Sequence, residues 1–231
     1  MFTELDSNLK WEMNKYILHL ETATKVCSVA LSNNGQIISC KESVSDAYIH
    51  SEALTLFIED VIKDANIELT QLAAISVSAG PGSYTGLRIG ISTAKGLCFA
   101  LNIPLISIDS LQALKELIPN PQMNIIPMLD ARRMEVYTEV YSPNDEILLN
   151  LDAVVIDEHL FEIYEPFIVL GDGASKCKEI WQHRNIVWKD DMISSAVGQA
   201  RIAFNKFQAS NFENVAYFSP IYLKDANGIR R

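Results

Sequence analysis

The stretch Ser78-Ala79-Gly80-Pro81-Gly82-Ser83-Tyr84-Thr85-Gly86-Leu87-Arg88-Ile89-Gly90-Ile91-Ser92-Thr93-Ala94-Lys95-Gly96-Leu97 limits the fold more than any other part of the chain. It reads as the end of a buried strand, a tight glycine-proline loop, and a helix over 85–101 with almost no polar face. At about 100° per residue, Leu87, Ile91, Ala94, Cys98 and Leu101 form one apolar stripe. The opposite side carries Ile89, Gly96, Phe99 and Ala100, and the only charges are Arg88 and Lys95. A helix apolar on two sides is either enclosed in a large domain or covered by another chain.

A chain of 231 residues has room for one large or two small domains with a real core. Hydrophobic residues make up 48% and charged residues 21%, as in ordinary globular proteins. No apolar run approaches the roughly 20 residues of a membrane helix. The first fifteen residues carry Glu4, Asp6, Lys10 and Glu12 without an apolar block, so they do not read as a signal peptide and the expected location is the cytoplasm. Cys27, Cys40, Cys98 and Cys177 stand singly and read as reduced thiols rather than metal ligands. The net charge of -10 argues against a stand-alone nucleic-acid binder, because phosphate neutralisation needs a basic surface.

Strand patterns cover Tyr16–Glu21, Val26–Leu31 and Gln36–Val44, with a hairpin at Asn33-Asn34-Gly35. A helix over His50–Ala65 follows, its apolar residues Ala53, Leu54, Phe57, Ile58, Val61 and Ile62 covering about half the circumference. Strands at 73–79 and 104–108 flank the helix over 85–101, which predicts a mixed sheet with crossover helices. A second unit begins near Asp109, with a short helix over 110–117 and strands at 123–129, 134–141, 167–170 and 186–188. Between them lie a less regular region over 148–165 and helices from Gly171-Asp172-Gly173 to Trp181 and over 193–207. The expected division is therefore an extension over 1–15, an N-terminal lobe over 16–108 and a C-terminal lobe over 109–231.

Four segments carry a family resemblance. Tyr16-Ile17-Leu18-His19-Leu20-Glu21-Thr22-Ala23-Thr24 with the strand to Leu31, and the Ser78–Leu97 segment, resemble the TsaB (YeaZ) family. Pro127-Met128-Leu129-Asp130-Ala131-Arg132-Arg133-Met134-Glu135-Val136-Tyr137 and Pro220-Ile221-Tyr222-Leu223-Lys224 are similar to two further blocks of it. The resemblance implies a duplicated α/β fold of the actin/Hsp70/sugar-kinase type, two lobes each with a mixed sheet flanked by helices. It also implies a non-catalytic partner of a TsaD-type subunit, working with a TsaE-type ATPase to place threonylcarbamoyl on N6 of adenosine 37 in tRNAs reading ANN codons. The tRNA would be met only through the complex. Family members start near the first strand, so Met13 is the expected initiator.

The residues bear on whether the chain is an enzyme. The resemblance implies a catalytic paralogue with a helical His-x-x-x-His metal pair, a spacing that puts both imidazoles on one face. Here His50 is followed at i+4 by Leu54, so neither a metal nor a metallopeptidase is expected. A nucleotide-binding reading, as a small-molecule ATPase or kinase, would use Thr22, Thr24, Asp130 and Gly171-Asp172-Gly173. Its first loop lacks glycine, and Arg132 and Arg133 crowd the second while still attracting an anion. Gly80–Ser83 reads either as an anion nest or as a turn capped by Ser83 or Thr85. No bound cofactor is expected.

The helices over 50–65 and 85–101 are expected to present a shared apolar surface to the TsaD-type subunit, or to a second copy of this chain. The expected outward residues are His50, Leu54, Phe57, Ile58, Arg88, Ser92 and Lys95. Gly86, Gly90 and Ala94, spaced by four, face either that partner or the sheet beneath.

Overall fold

The computed structural model describes residues 14–44 and 50–224. Two five-stranded sheets repeat one topology. The first contains β1 (Tyr16–Glu21), β2 (Val26–Asn33), β3 (Gln36–Val44), β4 (Leu72–Gly80) and β5 (Leu105–Asp109), in the order β3-β2-β1-β4-β5. The second contains β6 (Asn124–Asp130), β7 (Glu135–Tyr141), β8 (Ile147–Val155), β9 (Phe167–Leu170) and β10 (Ile186–Lys189), in the order β10-β9-β6-β7-β8. In each sheet the first three strands pair antiparallel and the remaining pairs are parallel. Replacing strand n by strand n+5 turns one sheet into the other, which is the signature of a duplicated unit.

Parallel strands need both faces covered, and β1 shows how this is met. Alternate residues point to opposite faces. Leu18 and Leu20 join the layer beneath α1 (His50–Asp64) and α2 (Tyr84–Leu101), with Leu54, Val61, Val77, Ile91 and Cys98. Ile17 faces the other way, toward α4 (Ala200–Gln208), where Ile106, Ile202 and Ala203 close a second layer. The C-terminal segment therefore returns to the first sheet. Glu213 bridges to Leu105, and the Ile221 amide donates to the Ala79 carbonyl at 2.7 Å. The short α3 (Ser110–Lys115) joins the sheets, with Leu111 and Leu114 against Ile125 and Leu129 of β6.

Two expectations of secondary structure change. The region over 148–165 holds a full strand, β8, whose outer residues are exposed because it is an edge. The helices expected to Trp181 and over 193–207 are shorter: a 3-10 turn at Ala174–Cys177, and a 3-10 turn at Ala196–Gln199 leading into α4. Trp181 is fixed by its indole N–H donating to the Asp157 carbonyl at 2.8 Å. Among the described residues no helix is long and apolar enough to cross a membrane. Cys27, Cys98 and Cys177 are buried and Cys40 half-buried, all as free thiols.

Candidate partner-binding surface

The N-terminus of α2 is seated on the β1–β2 loop. Ser83 caps the helix, its Oγ accepting the Gly86 amide at 3.2 Å. The Ser83 amide donates to the Ala23 carbonyl at 2.6 Å, and the Thr22 hydroxyl donates to the Gly86 carbonyl at 2.8 Å. A Cβ at Gly86 or Gly90 would lie closer than 3.0 Å to an oxygen of Thr22, and Ala94 is fully buried. The two options the sequence left open are settled together: Gly80–Ser83 is a capped turn whose Ser83 amide is already bonded within the chain, and the small residues face their own sheet.

The outer face of α2 is formed by Thr85, Arg88, Ser92, Gly96 and Phe99, all exposed. Phe99 is 85% exposed, and a Cβ at Gly96 would meet nothing within 4 Å. On α1 the exposed apolar residue is Leu56, at 59%. This corrects the expected outward set. Leu54 and Ile58 are 1% and 6% exposed and lie in the core, because the apolar half of α1 turns its Leu54–Ile58–Val61–Ile62 edge to the sheet. A charge at Leu54 would disrupt that core and report nothing about docking. Phe57 is half-buried against the same layer, Ser92 is exposed, and the His50 side chain lies outside the described residues.

Arg88 and Lys95 reach the surface but already hold part of this chain. Arg88 Nε donates to the Tyr222 hydroxyl at 3.1 Å, and its guanidinium stands 4.1 Å over the Tyr84 ring. Tyr84 and Tyr222 stack at 4.8 Å between centroids. Lys95 Nζ donates to the carbonyls of Ala216 and Phe218, each at 3.1 Å. Both charges strap residues 216–222 along the helix. Gly96 and Phe99, which the sequence places opposite the apolar stripe but which were not in the expected outward set, lie on one face with Thr85, Arg88 and Ser92; Leu56 carries no such signal in its spacing.

Beneath the first sheet lies a polar layer that the buried strands conceal. His19 Nδ1 and Nε2 bond Ser76 at 2.7 Å and Ser32 at 2.8 Å. Ser76 donates to Gln199 Oε1 at 2.6 Å, and Gln199 Nε2 donates to the Leu20 carbonyl at 2.8 Å and to Ser78 Oγ at 3.1 Å. Ser78 donates in turn to the Glu21 carboxylate, whose other oxygen accepts the Ala23 amide at 2.7 Å. Burial pushes the His19 pKa down to about 3, so the ring is neutral. Burial raises the Glu21 pKa against the lowering effect of its hydrogen bonds. Its sequence signal is polar residues at alternate positions of apolar strands: His19 and Glu21, Ser28 and Ser32, Ser76 and Ser78.

The other two loops are also occupied from within. The Asp130 amide donates to Asp172 Oδ1 at 3.0 Å, Lys176 donates to Asp130 Oδ1 at 2.6 Å, and the Gly173 amide donates to the Met128 carbonyl at 3.1 Å. Burial raises the Asp172 pKa. Among the described residues no three His, Cys, Asp or Glu side chains are grouped to hold a metal ion.

The family described as TsaD, tRNA N6-adenosine threonylcarbamoyltransferase, matches residues 45–227. The tRNA threonylcarbamoyladenosine biosynthesis protein TsaB of Escherichia coli is 26% identical over 220 residues, covering 90% of this chain and 94% of its own. TsaB of Bacillus subtilis is 30% identical over 173 residues, 71% of this chain and 74% of its own. YeaZ from Pseudomonas aeruginosa superposes with a TM-score of 0.75 at 25% identity, over 90% of this chain and 100% of that one. The fold is also shared with the activator of the 2-hydroxyisocaproyl-CoA dehydratase from Clostridium difficile, with a TM-score of 0.52 at 12% identity over 87% of this chain and 99% of that one. The chain belongs to the TsaB (YeaZ) family.

Proposed function

We propose that this chain is a non-catalytic subunit of the cytoplasmic assembly that forms threonylcarbamoyladenosine at position 37 of tRNA, and that it docks the TsaD-type catalytic subunit. The observation that carries the role is similarity over nearly the whole chain to proteins named for threonylcarbamoyladenosine biosynthesis. The docking surface is the outer face of α2, from Arg88 through Ser92 and Gly96 to Phe99, with Leu56 of α1 beside it. An aromatic ring 85% exposed next to a bare glycine gives a partner helix both an anchor and room for close approach. Because the catalytic paralogue shares the fold, the same face supports a homodimer when the partner is missing.

Reconstitution tests the role directly. TsaD-type and TsaE-type subunits modify tRNA when this chain is added and fail without it; equal modification in its absence would remove the reading. Phe99→Glu leaves the melting temperature of the isolated chain unchanged and abolishes co-purification with the catalytic subunit. A variant that still binds normally would move the interface off α2.

A further inference from the structure

The hairpin between β6 and β7 departs from the residue choice that the rest of the chain makes. A positive φ strains any residue with a Cβ, and Asn and Asp least. Arg132 and Arg133 adopt φ of 67° and 51° in succession, and both are exposed. The other described non-glycine positions of this kind are four asparagines and Asp145, with Phe161 and Ser210. Phe161 is a core residue packed edge-on against Trp181, and Ser210 closes the end of α4, its amide bonded to the Phe207 carbonyl at 3.0 Å. Where the β2–β3 hairpin needs two consecutive left-handed residues, the chain uses Asn34 and Gly35. Packing does not explain arginine at either position of the β6–β7 tip.

The two guanidiniums also differ from the other described arginines of the chain. Among the described residues neither has a hydrogen-bond or ion-pair partner, whereas Arg88 holds Tyr222, Arg184 holds Glu165 at 2.5 Å and Arg201 holds Glu116 at 2.5 Å. The neighbouring carboxylates are taken by lysines: Lys176 pairs with Asp130, and Lys224 with Glu135. Lys224 also donates to the Ala131 carbonyl at 3.2 Å, two residues beyond the Tyr222 that Arg88 grips. Residues 222–224 thus link Arg88 to Ala131 and Glu135, which flank the tip, on a chain whose net charge is -10.

We infer that the Arg132–Arg133 tip is a contact for the phosphate backbone of the tRNA on which the assembly acts, an inference that rests on the role proposed above. A nucleotide is held in a concavity that encloses most of its surface. Two exposed forks on a hairpin tip instead suit a polyanion lying across them, each fork able to take a phosphate bidentately. The chain then meets tRNA directly and not only through its partner.

The test gives the tip the residues that the β2–β3 hairpin uses, Arg132→Asn with Arg133→Gly. The melting temperature of the double variant rises by about 2–4 °C as strain is relieved, and its association with the catalytic subunit is unchanged. The affinity of the assembled complex for tRNA falls about tenfold, and the dependence of log affinity on log salt concentration becomes shallower by about 1–2. Arg132→Lys with Arg133→Lys keeps the salt dependence and most of the affinity without the thermal gain. Unchanged tRNA affinity and salt slope in the Asn-Gly variant overturn the inference. So does lost association with the catalytic subunit, which would make the tip a protein contact. If the wild-type assembly modifies no tRNA, the proposed role fails and the tip with it; an active wild type with an indifferent variant fails the tip alone.

Discussion

Three glycines in α2 should respond to the same substitution with different signs. Replacing glycine by alanine inside a helix gains about 1 kcal/mol, because the unfolded chain has less freedom to lose. At Gly96 nothing offsets this, since the added methyl meets no atom within 4 Å. Gly96→Ala should stabilise by about 1 kcal/mol and raise the melting temperature by about 2–4 °C. At Gly90 the methyl meets the Thr22 hydroxyl, which can rotate away only by losing its 2.8 Å bond to the Gly86 carbonyl. A lost hydrogen bond of about 1 kcal/mol against a similar helix gain leaves Gly90→Ala within about 1 kcal/mol of the wild type. At Gly86 the obstacle is the Thr22 backbone carbonyl, which has no rotamer to adopt. Forcing helix and loop apart costs about 3 kcal/mol, so Gly86→Ala should be destabilised by about 2 kcal/mol net. Urea unfolding of the three variants reads the order directly. Gly86→Ala as stable as Gly96→Ala would mean that α2 is not seated on the β1–β2 loop.

Two other substitutions probe the joints between the sheets. Asp109 caps α3, its Oδ1 accepting the amides of Leu111 at 2.8 Å and Gln112 at 2.9 Å, while burial pushes its pKa up to about 6. Between about pH 4 and 6 the folded state keeps a proton that the unfolded chain has released, so this group's contribution to stability falls as pH rises through that window and levels off above it. Asparagine caps equally well and does not ionise, so Asp109→Asn should match the wild type near pH 4 and exceed it by up to ~3 kcal/mol at pH 7.5. A difference independent of pH in urea titrations would refute the burial argument. Gln199→Ala removes the partners of Ser76 and of the Leu20 carbonyl at once and should cost about 2–4 kcal/mol, with hydrogen exchange accelerated in β1 and β4. Unchanged exchange there would show that the polar layer is not held from the C-terminal segment.

The strands were legible where alternation or a turn announced them: β1 to β3 around Asn34-Gly35, and the buried runs of β4 and β6. β8 was not, because Leu148-Leu149-Asn150-Leu151-Asp152 lies on an edge strand and keeps no clean alternation. The phase of α1 was also beyond the sequence. Its apolar residues span half the circumference, and periodicity alone does not say whether Leu54 or Leu56 faces the sheet. Lys95 was expected to face a partner because its acceptors, the carbonyls of Ala216 and Phe218, lie more than a hundred residues away in sequence. Arg132 and Arg133 were visible as anion-attracting residues at a loop. Their significance lay in a backbone conformation that side-chain chemistry does not encode.

The same contacts support the proposed use of α2 as a docking surface. The Thr22 carbonyl and hydroxyl lie against α2, the Ser83 amide is bonded to Ala23, and the Asp130 amide is bonded to Asp172, so these groups act as internal joints. These joints immobilise α2 from below while Arg88 and Lys95 strap residues 216–222 along its flank. A face held on two sides loses little freedom when a partner covers it, which leaves more of the contact energy to appear as affinity. Loosening a joint without touching the face, as Thr22→Val does by removing the hydroxyl bond to Gly86, should therefore weaken docking of the catalytic subunit several-fold through a faster off-rate. Calorimetry and surface-binding kinetics against the wild-type chain would show it. An unchanged off-rate, with the expected loss of about 1 kcal/mol in stability, would separate the rigidity of α2 from its role in assembly.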